Sequence, residues 1–226
     1  INTNVMEPEN IVQAAIRADV KKVLALSTDK AANPINLYGA SKLASDKIFV
    51  AANSLSGQGG TKFSVVRYGN VIGSRGSFIP LLKKLVEEGA TEVPVTDLRM
   101  TRFWITLDQG VNFVLSVLQS MIGGEIFVPK IPSMKIEELV KSIAPEIPAK
   151  IIGIRPGEKL HEVMITEDDA PYTYSLDDRY VILPAFDLWG RGAFSDPATK
   201  VVDRFRYSSD TNPEFLTVKQ MRKLLE

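Results

Sequence analysis

Tyr38 and Lys42 stand four residues apart in a stretch, Leu37 to Ala52, where Leu43, Lys47, Val50 and Ala51 have helical spacing. Both side chains therefore project from one helix face. A phenol, with an ordinary pKa of about 10, is a poor base near neutrality, but an ammonium beside it stabilises the phenolate. A tyrosine that accepts a hydroxyl proton while hydride leaves the same carbon is what alcohol oxidation requires. The spacing equally describes a half-exposed aromatic beside a solvated lysine, so the surroundings must decide. They begin with Ser27-Thr28-Asp29-Lys30, at the C-terminal end of a predicted strand from Lys21 to Ser27. Open α/β sheets bind ligands at that end of their strands.

The elements that would position these groups alternate along the chain. Glu7 to Val20 has Ile11, Ala15 and Ile16 on one face and Pro8 in a first turn, which predicts a helix before the strand. After the Tyr38 helix come a strand from Lys62 to Tyr68, a helix from Ile79 to Glu88 closed by Gly89, and an extended piece from Glu92 to Thr96. Thr106 and Gln109 have capping-box spacing ahead of Val111, Val114, Leu115 and Leu118, and Gly123-Gly124 ends that helix. Glu125 to Pro129 reads as a strand, Ile136 to Ala144 as a helix with Ser133 near its cap, and Lys150 to Arg155 as a strand. From Thr166 to Asn212 prolines, glycines and aspartates predict an irregular arm with one strand near Tyr180 to Leu183. Thr217 and Gln220 repeat the cap spacing before a terminal helix.

This order predicts an α/β fold: a doubly wound, Rossmann-like parallel sheet over residues 1–125, with interleaved substrate-binding segments, and a smaller α/β substrate-binding domain with a C-terminal arm over 126–226. A dinucleotide fold normally opens on a strand, a G-x-G-x-x-G turn and a helix. None of the glycine clusters (Gly57, Gly59, Gly60; Gly69, Gly73, Gly76; Gly190, Gly192) has that spacing. The expectation is a fold without its N-terminal glycine-rich part.

Composition narrows the partners. Lys plus Arg (27) balances Asp plus Glu (27), so the whole-chain field draws the protein toward neither nucleic acid nor an acidic membrane. Cysteine is absent and histidine occurs once, which excludes thiolate sites and makes no metal the expectation. No apolar run reaches the length of a membrane span, so no membrane partner and a cytoplasmic location are expected.

The run STDKAANPINLYGASKLASDK resembles the extended short-chain dehydrogenase/reductase family and, within it, the inverting UDP-N-acetylglucosamine 4,6-dehydratases of flagellin and capsular sugar synthesis. The resemblance continues through VVRYGNVIGSRGSFIP, TDLRMTRFWITLDQGV, GGEIFVPKIPSMKI and IIGIRPGEKLHEVM, from Ile1 to Asp169. It implies NADP as cofactor, a UDP-sugar as substrate and a homo-oligomer. It also implies that Tyr38 takes the C4 hydroxyl proton as hydride passes to NADP, that Lys42 holds the nicotinamide ribose, and that Thr28 bonds the C4 oxygen. Asp29 suits an acid at the C6 hydroxyl if enclosure raises its pKa, and Lys30 a base at C5 if its own is depressed. Retaining relatives tend to carry glutamate where Lys30 stands, so the lysine favours inversion at C5.

Substrate phosphates need donors, and Asn70 follows a strand while Arg75 lies in a glycine-bearing loop. The resemblance implies that Arg102 and Arg155 grip the diphosphate and that Glu158 lies near the uridine ribose. A surface pairing is the bland alternative for each arginine. His161 is expected on a helix after Arg155-Pro156-Gly157-Glu158, in a structural role. Two other readings stay open: a UDP-sugar 4-epimerase, with no use for Asp29 and Lys30, and a non-catalytic nucleotide-sugar-binding module.

Overall fold

The computed structural model describes residues 1–186 and 198–226, so Gly190, Gly192 and the middle of the expected irregular arm lie outside the described residues. In chain order the helices are α1 (Glu7–Arg17), α2 (Leu37–Ser56), α3 (Phe78–Glu87), α4 (Leu107–Ser120), α5 (Ile136–Ile143) and α6 (Val218–Leu225). The strands are β1 (Lys22–Thr28), β2 (Lys62–Tyr68), β3 (Asn70–Val71), β4 (Val93–Val95), β5 (Thr101–Ile105), β6 (Ile126–Pro129), β7 (Ser133–Lys135), β8 (Ala149–Ile151), β9 (Val163–Ile165), β10 (Thr173–Ser175), β11 (Arg179–Ile182), β12 (Thr199–Lys200) and β13 (Tyr207–Ser208). Two compact units emerge, each assembled from three chain segments: 1–68, 111–130 and 163–207 in the first, and 69–110, 131–162 and 208–226 in the second. The segments of the two units interleave along the chain.

The first unit is built on a sheet of order β1-β2-β6-β11-β10-β12. β1, β2 and β6 run parallel, as the strand-helix alternation predicts. β11, β10 and β12 extend the sheet in antiparallel fashion. Only three residues join β10 to β11, with the Leu176 amide donating to the Arg179 carbonyl at 2.8 Å, and so short a link can only reverse the chain. The sheet is therefore mixed rather than wholly parallel.

Helices cover both of its faces. Along β2 the pleat sends alternate side chains opposite ways. Phe63 meets Phe49 of α2 at a ring-centroid distance of 6.4 Å. Val66 points the other way, into a cluster with Phe113 and Val117 of α4, Met121, Phe127 of β6 and Val181 of β11. The α/β class and the two-sided wrapping agree with the sequence.

The second unit centres on Leu82, Val93, Val95, Trp104, Met134, Leu139 and Met221, drawn from all three of its segments. β3 lies parallel to β5, β7 antiparallel to it, and β4 parallel to β8. Three expectations are corrected here. The predicted strand from Lys150 stops at Ile151, and Gly153 beyond it has a φ of 87°. Ser133 belongs to β7 and does not cap α5, whose N-cap is Lys135. No helix follows Glu158: the segment is extended, and His161 bridges to Thr101. Both expected capping boxes form, Thr106 with Gln109 and Thr217 with Gln220. Among the described residues no helix is long and apolar enough to cross a membrane.

Candidate functional site

The five residues expected to do chemistry all lie in the first unit. β1 ends at Thr28, and the chain tightens into a single 3₁₀ turn, Asp29–Ala31. The Thr28 hydroxyl serves that turn twice, accepting from the Lys30 amide at 3.4 Å and donating to Asp29 Oδ1 at 2.7 Å. Lys30 Nζ donates to the same oxygen at 2.8 Å. Asp29 has no exposed surface, whereas the Lys30 side chain is 35% exposed. Asp29 Oδ2 makes no hydrogen bond among the described residues.

Asn36 starts α2, its side chain accepting from the Gly39 amide at 2.8 Å. Tyr38 sits in the first turn, half exposed at 53%, and Lys42 follows one turn later. Lys42 Nζ donates to the Leu26 carbonyl of β1 at 2.9 Å, so the helix is tied to the strand that ends in Thr28. Tyr68 pairs with Thr28 across the ladder, and burial raises its pKa, which leaves it a phenol rather than a second base.

Gly39 carries no sequence signal beyond its place next to Tyr38, yet the site needs it. A Cβ there would lie 2.5 Å from the Lys30 carbonyl oxygen and 3.0 Å from Pro34 Cβ. The absent side chain lets the first turn of α2 rest on the Asp29–Ala31 turn. Gly39→Ala is expected to move the first turn of α2, and Tyr38 with it, away from the Asp29–Ala31 turn and, if Tyr38 acts as proposed below, to lower turnover on the order of tenfold to a hundredfold, since small misplacements of reacting groups are costly. Steady-state kinetics on the folded variant would check it.

The five residues expected to bind substrate all lie in the second unit. Asn70 donates to the Phe103 carbonyl at 3.3 Å. Arg75 is exposed in a turn between Gly73 and Gly76, whose φ angles of 76° and 70° fall in the left-handed region that glycine favours. Arg155 is exposed at the start of the turn that Glu158 closes, and Glu158 accepts from Thr96 Oγ1 at 3.5 Å. Arg102 is turned inward: it donates to the carbonyls of Thr101 (2.7 Å), Leu160 (3.1 Å) and Lys159 (3.0 Å) and lies 3.7 Å from Glu162. Holding a diphosphate would require Arg102 to give up part of that set. His161 Nδ1 meets Thr101 Oγ1 at 2.8 Å, and Thr101 Oγ1 meets Ser209 Oγ at 2.7 Å, which fits a structural role.

Next to this segment Asp97 accepts from the Arg99 guanidinium at 2.7 Å and from the Arg99 amide at 2.8 Å. The guanidinium and then the amide hold the Asp97 pKa near about 2, below its ordinary 3.8. A folded-state value below the unfolded one stabilises the fold above the unfolded value, and that contribution disappears as pH falls through the folded value. Arg99→Ala is thus expected to flatten the stability loss between pH 3.8 and about 2, and less so in high salt because the Arg99 guanidinium is exposed. Urea unfolding across that range would measure it.

A polysaccharide biosynthesis protein family model matches residues 1–184. A Campylobacter jejuni protein called "UDP-N-acetylglucosamine 4,6-dehydratase (inverting)" is 53% identical over all of this chain and 69% of its own length. A Rickettsia akari protein called "UDP-glucose 4-epimerase" is 38% identical over all of this chain and 67% of its own. Among solved structures, Pen from Bacillus thuringiensis superposes with a TM-score of 0.88 at 33% identity, covering 99% of this chain and 68% of that one. This chain belongs to the polysaccharide biosynthesis protein family.

Proposed function

We propose that this chain is the catalytic and nucleotide-sugar-binding part of a UDP-N-acetylglucosamine 4,6-dehydratase that inverts C5. The observation that carries the reading is the Asp29-Lys30 contact of 2.8 Å at the end of β1, beside the turn of α2 that bears Tyr38. An ammonium on a carboxylate differs by one proton transfer from an amine beside a carboxylic acid. Those are the base and the acid that loss of water across C5 and C6 requires. The whole-chain identity to the Campylobacter jejuni protein supports the same assignment.

Tyr38 and Lys42 fit the nicotinamide-ribose end of a dinucleotide: an exposed phenol and an ammonium one turn apart, the latter anchored on β1. The pyrophosphate cradle is not among these 226 residues, since no glycine cluster has the needed spacing. NADP is the proposed cofactor; when bound it supplies the hydride acceptor and later the donor. Tyr38 takes the C4 hydroxyl proton while Thr28 hydrogen-bonds the C4 oxygen. The resulting C4 ketone acidifies the C5 hydrogen, which Lys30 removes. Asp29 supplies the proton that leaves with the C6 hydroxyl as water. Asn70, Arg75, Arg102, Arg155 and Glu158 take the UDP end. A homo-oligomer and a cytoplasmic location belong to this reading.

The test is incubation of the protein that carries this chain joined to its nicotinamide-binding region with UDP-N-acetylglucosamine, the product read by mass and NMR. A 4-keto-6-deoxy sugar lacking one water is expected, and release of the C4 epimer alone would overturn the reading. The epimerase alternative is favoured by the Rickettsia akari relative and predicts that second outcome.

A further inference from the structure

Arg67 occupies an interior position of β2 with its side chain only 2% exposed, and no step above uses it. Its Nη2 donates to Asp46 Oδ2 of α2 at 3.0 Å, and Asp46 is equally buried. Its Nη1 donates to the Met164 carbonyl of β9 at 2.9 Å and lies 3.7 Å from Asp169 Oδ2. One guanidinium thus joins three elements of the first unit. A buried ion pair is poor value as a stabiliser, because well-packed apolar side chains of similar volume often do as well or better; its best-attested use is to fix register.

The register in question is that of the reacting groups. Asp46 lies one turn beyond Lys42 and two beyond Tyr38, on nearly the same side of α2. In the β1-β2 ladder Arg67 stands opposite Ser27, the residue before Thr28-Asp29-Lys30. One end of the pair is therefore rigidly tied to the tyrosine and lysine, and the other to the strand end. Without it, the Lys42 bond to Leu26 and the packing of Gly39 would have to set how far α2 slides along β1.

We propose that Arg67 and Asp46 are a positioning pair that fixes α2 axially, so that Tyr38 and Lys42 meet the Thr28-Asp29-Lys30 turn in reacting geometry. The inference rests on the proposed role of Tyr38. Three variants test it in the protein with its nicotinamide cofactor: Asp46→Asn, which keeps volume and an acceptor; Arg67→Lys, which keeps charge; and the double variant Asp46→Leu/Arg67→Met, which replaces the pair with apolar packing. In each, kcat and the single-turnover reduction of the nicotinamide are expected to fall by about tenfold to a hundredfold, with KM for the nucleotide sugar within about twofold of the parent. Hydrogen exchange of the 38–46 amides is expected to quicken relative to β2. A merely structural pair would lower the melting temperature and leave kcat per folded molecule alone. The double variant decides if the single ones fold poorly: folded and oxidising within twofold of the parent, it overturns the positioning role. Tyr38→Phe run alongside separates the two failures, since full activity there would sink the tyrosine's role itself.

Discussion

Lys30→Ala is expected to stop the reaction halfway, with C4 oxidised, the nicotinamide reduced and no water lost. In the proposed mechanism the oxidation needs only Thr28, Tyr38 and Lys42, and Lys30 lies outside that group. Loss of the base at C5 is expected to slow elimination by about 10²- to 10⁴-fold, the usual worth of a positioned acid-base group. Reduced nicotinamide should then accumulate in a single turnover, visible by its absorbance, and the 4-keto sugar should be trapped by borohydride. The variant also leaves Asp29, which has no exposed surface, with Thr28 but without its ion-pair partner, so some loss of stability should accompany the stall. An epimerase would lose neither its turnover nor its cofactor balance.

Tyr38→Phe is expected to act one step earlier, lowering the first oxidation itself by about 10²- to 10⁴-fold. Half of the tyrosine surface is exposed and its side chain sits in the first turn of α2, so removing one oxygen should leave folding intact. No reduced nicotinamide should build up. The contrast between the two variants, one arrested before reduction and one after it, would order the two residues in the reaction without reference to any relative.

Much of this was legible in the residues, and the reasons are physical. Long elements with a clear period, α2 and β2 among them, appear where the sequence predicts them because their own side chains specify a buried face. The Tyr38 and Lys42 pair and the polar strand end were visible because four-residue spacing and strand-helix order fix where side chains point. Short strands were not: β5, β7, β10 and β12 exist through their partners, and two to five residues carry too little pattern to declare them. The stretch after Glu158 has apolar residues that imitate a helix face, but its backbone pairs with Thr101 instead.

The partners of charged side chains were least legible in the sequence. Arg67 follows two valines in β2, and nothing in that run announces that it is among the most buried of the described residues, where Asp46, 21 residues away, meets it. The three carbonyls that Arg102 donates to within its own unit are equally invisible in its spacing. Such pairings depend on tertiary proximity, which a single sequence does not encode locally.

The most direct test of the acid-base pair is the fate of C5 when the reaction runs in deuterium oxide. A 4-keto-6-deoxy product carrying deuterium at C5 with its configuration inverted is the expected result. A product that keeps protium at C5, or that keeps the original configuration there, would contradict the assignment of Lys30 and Asp29.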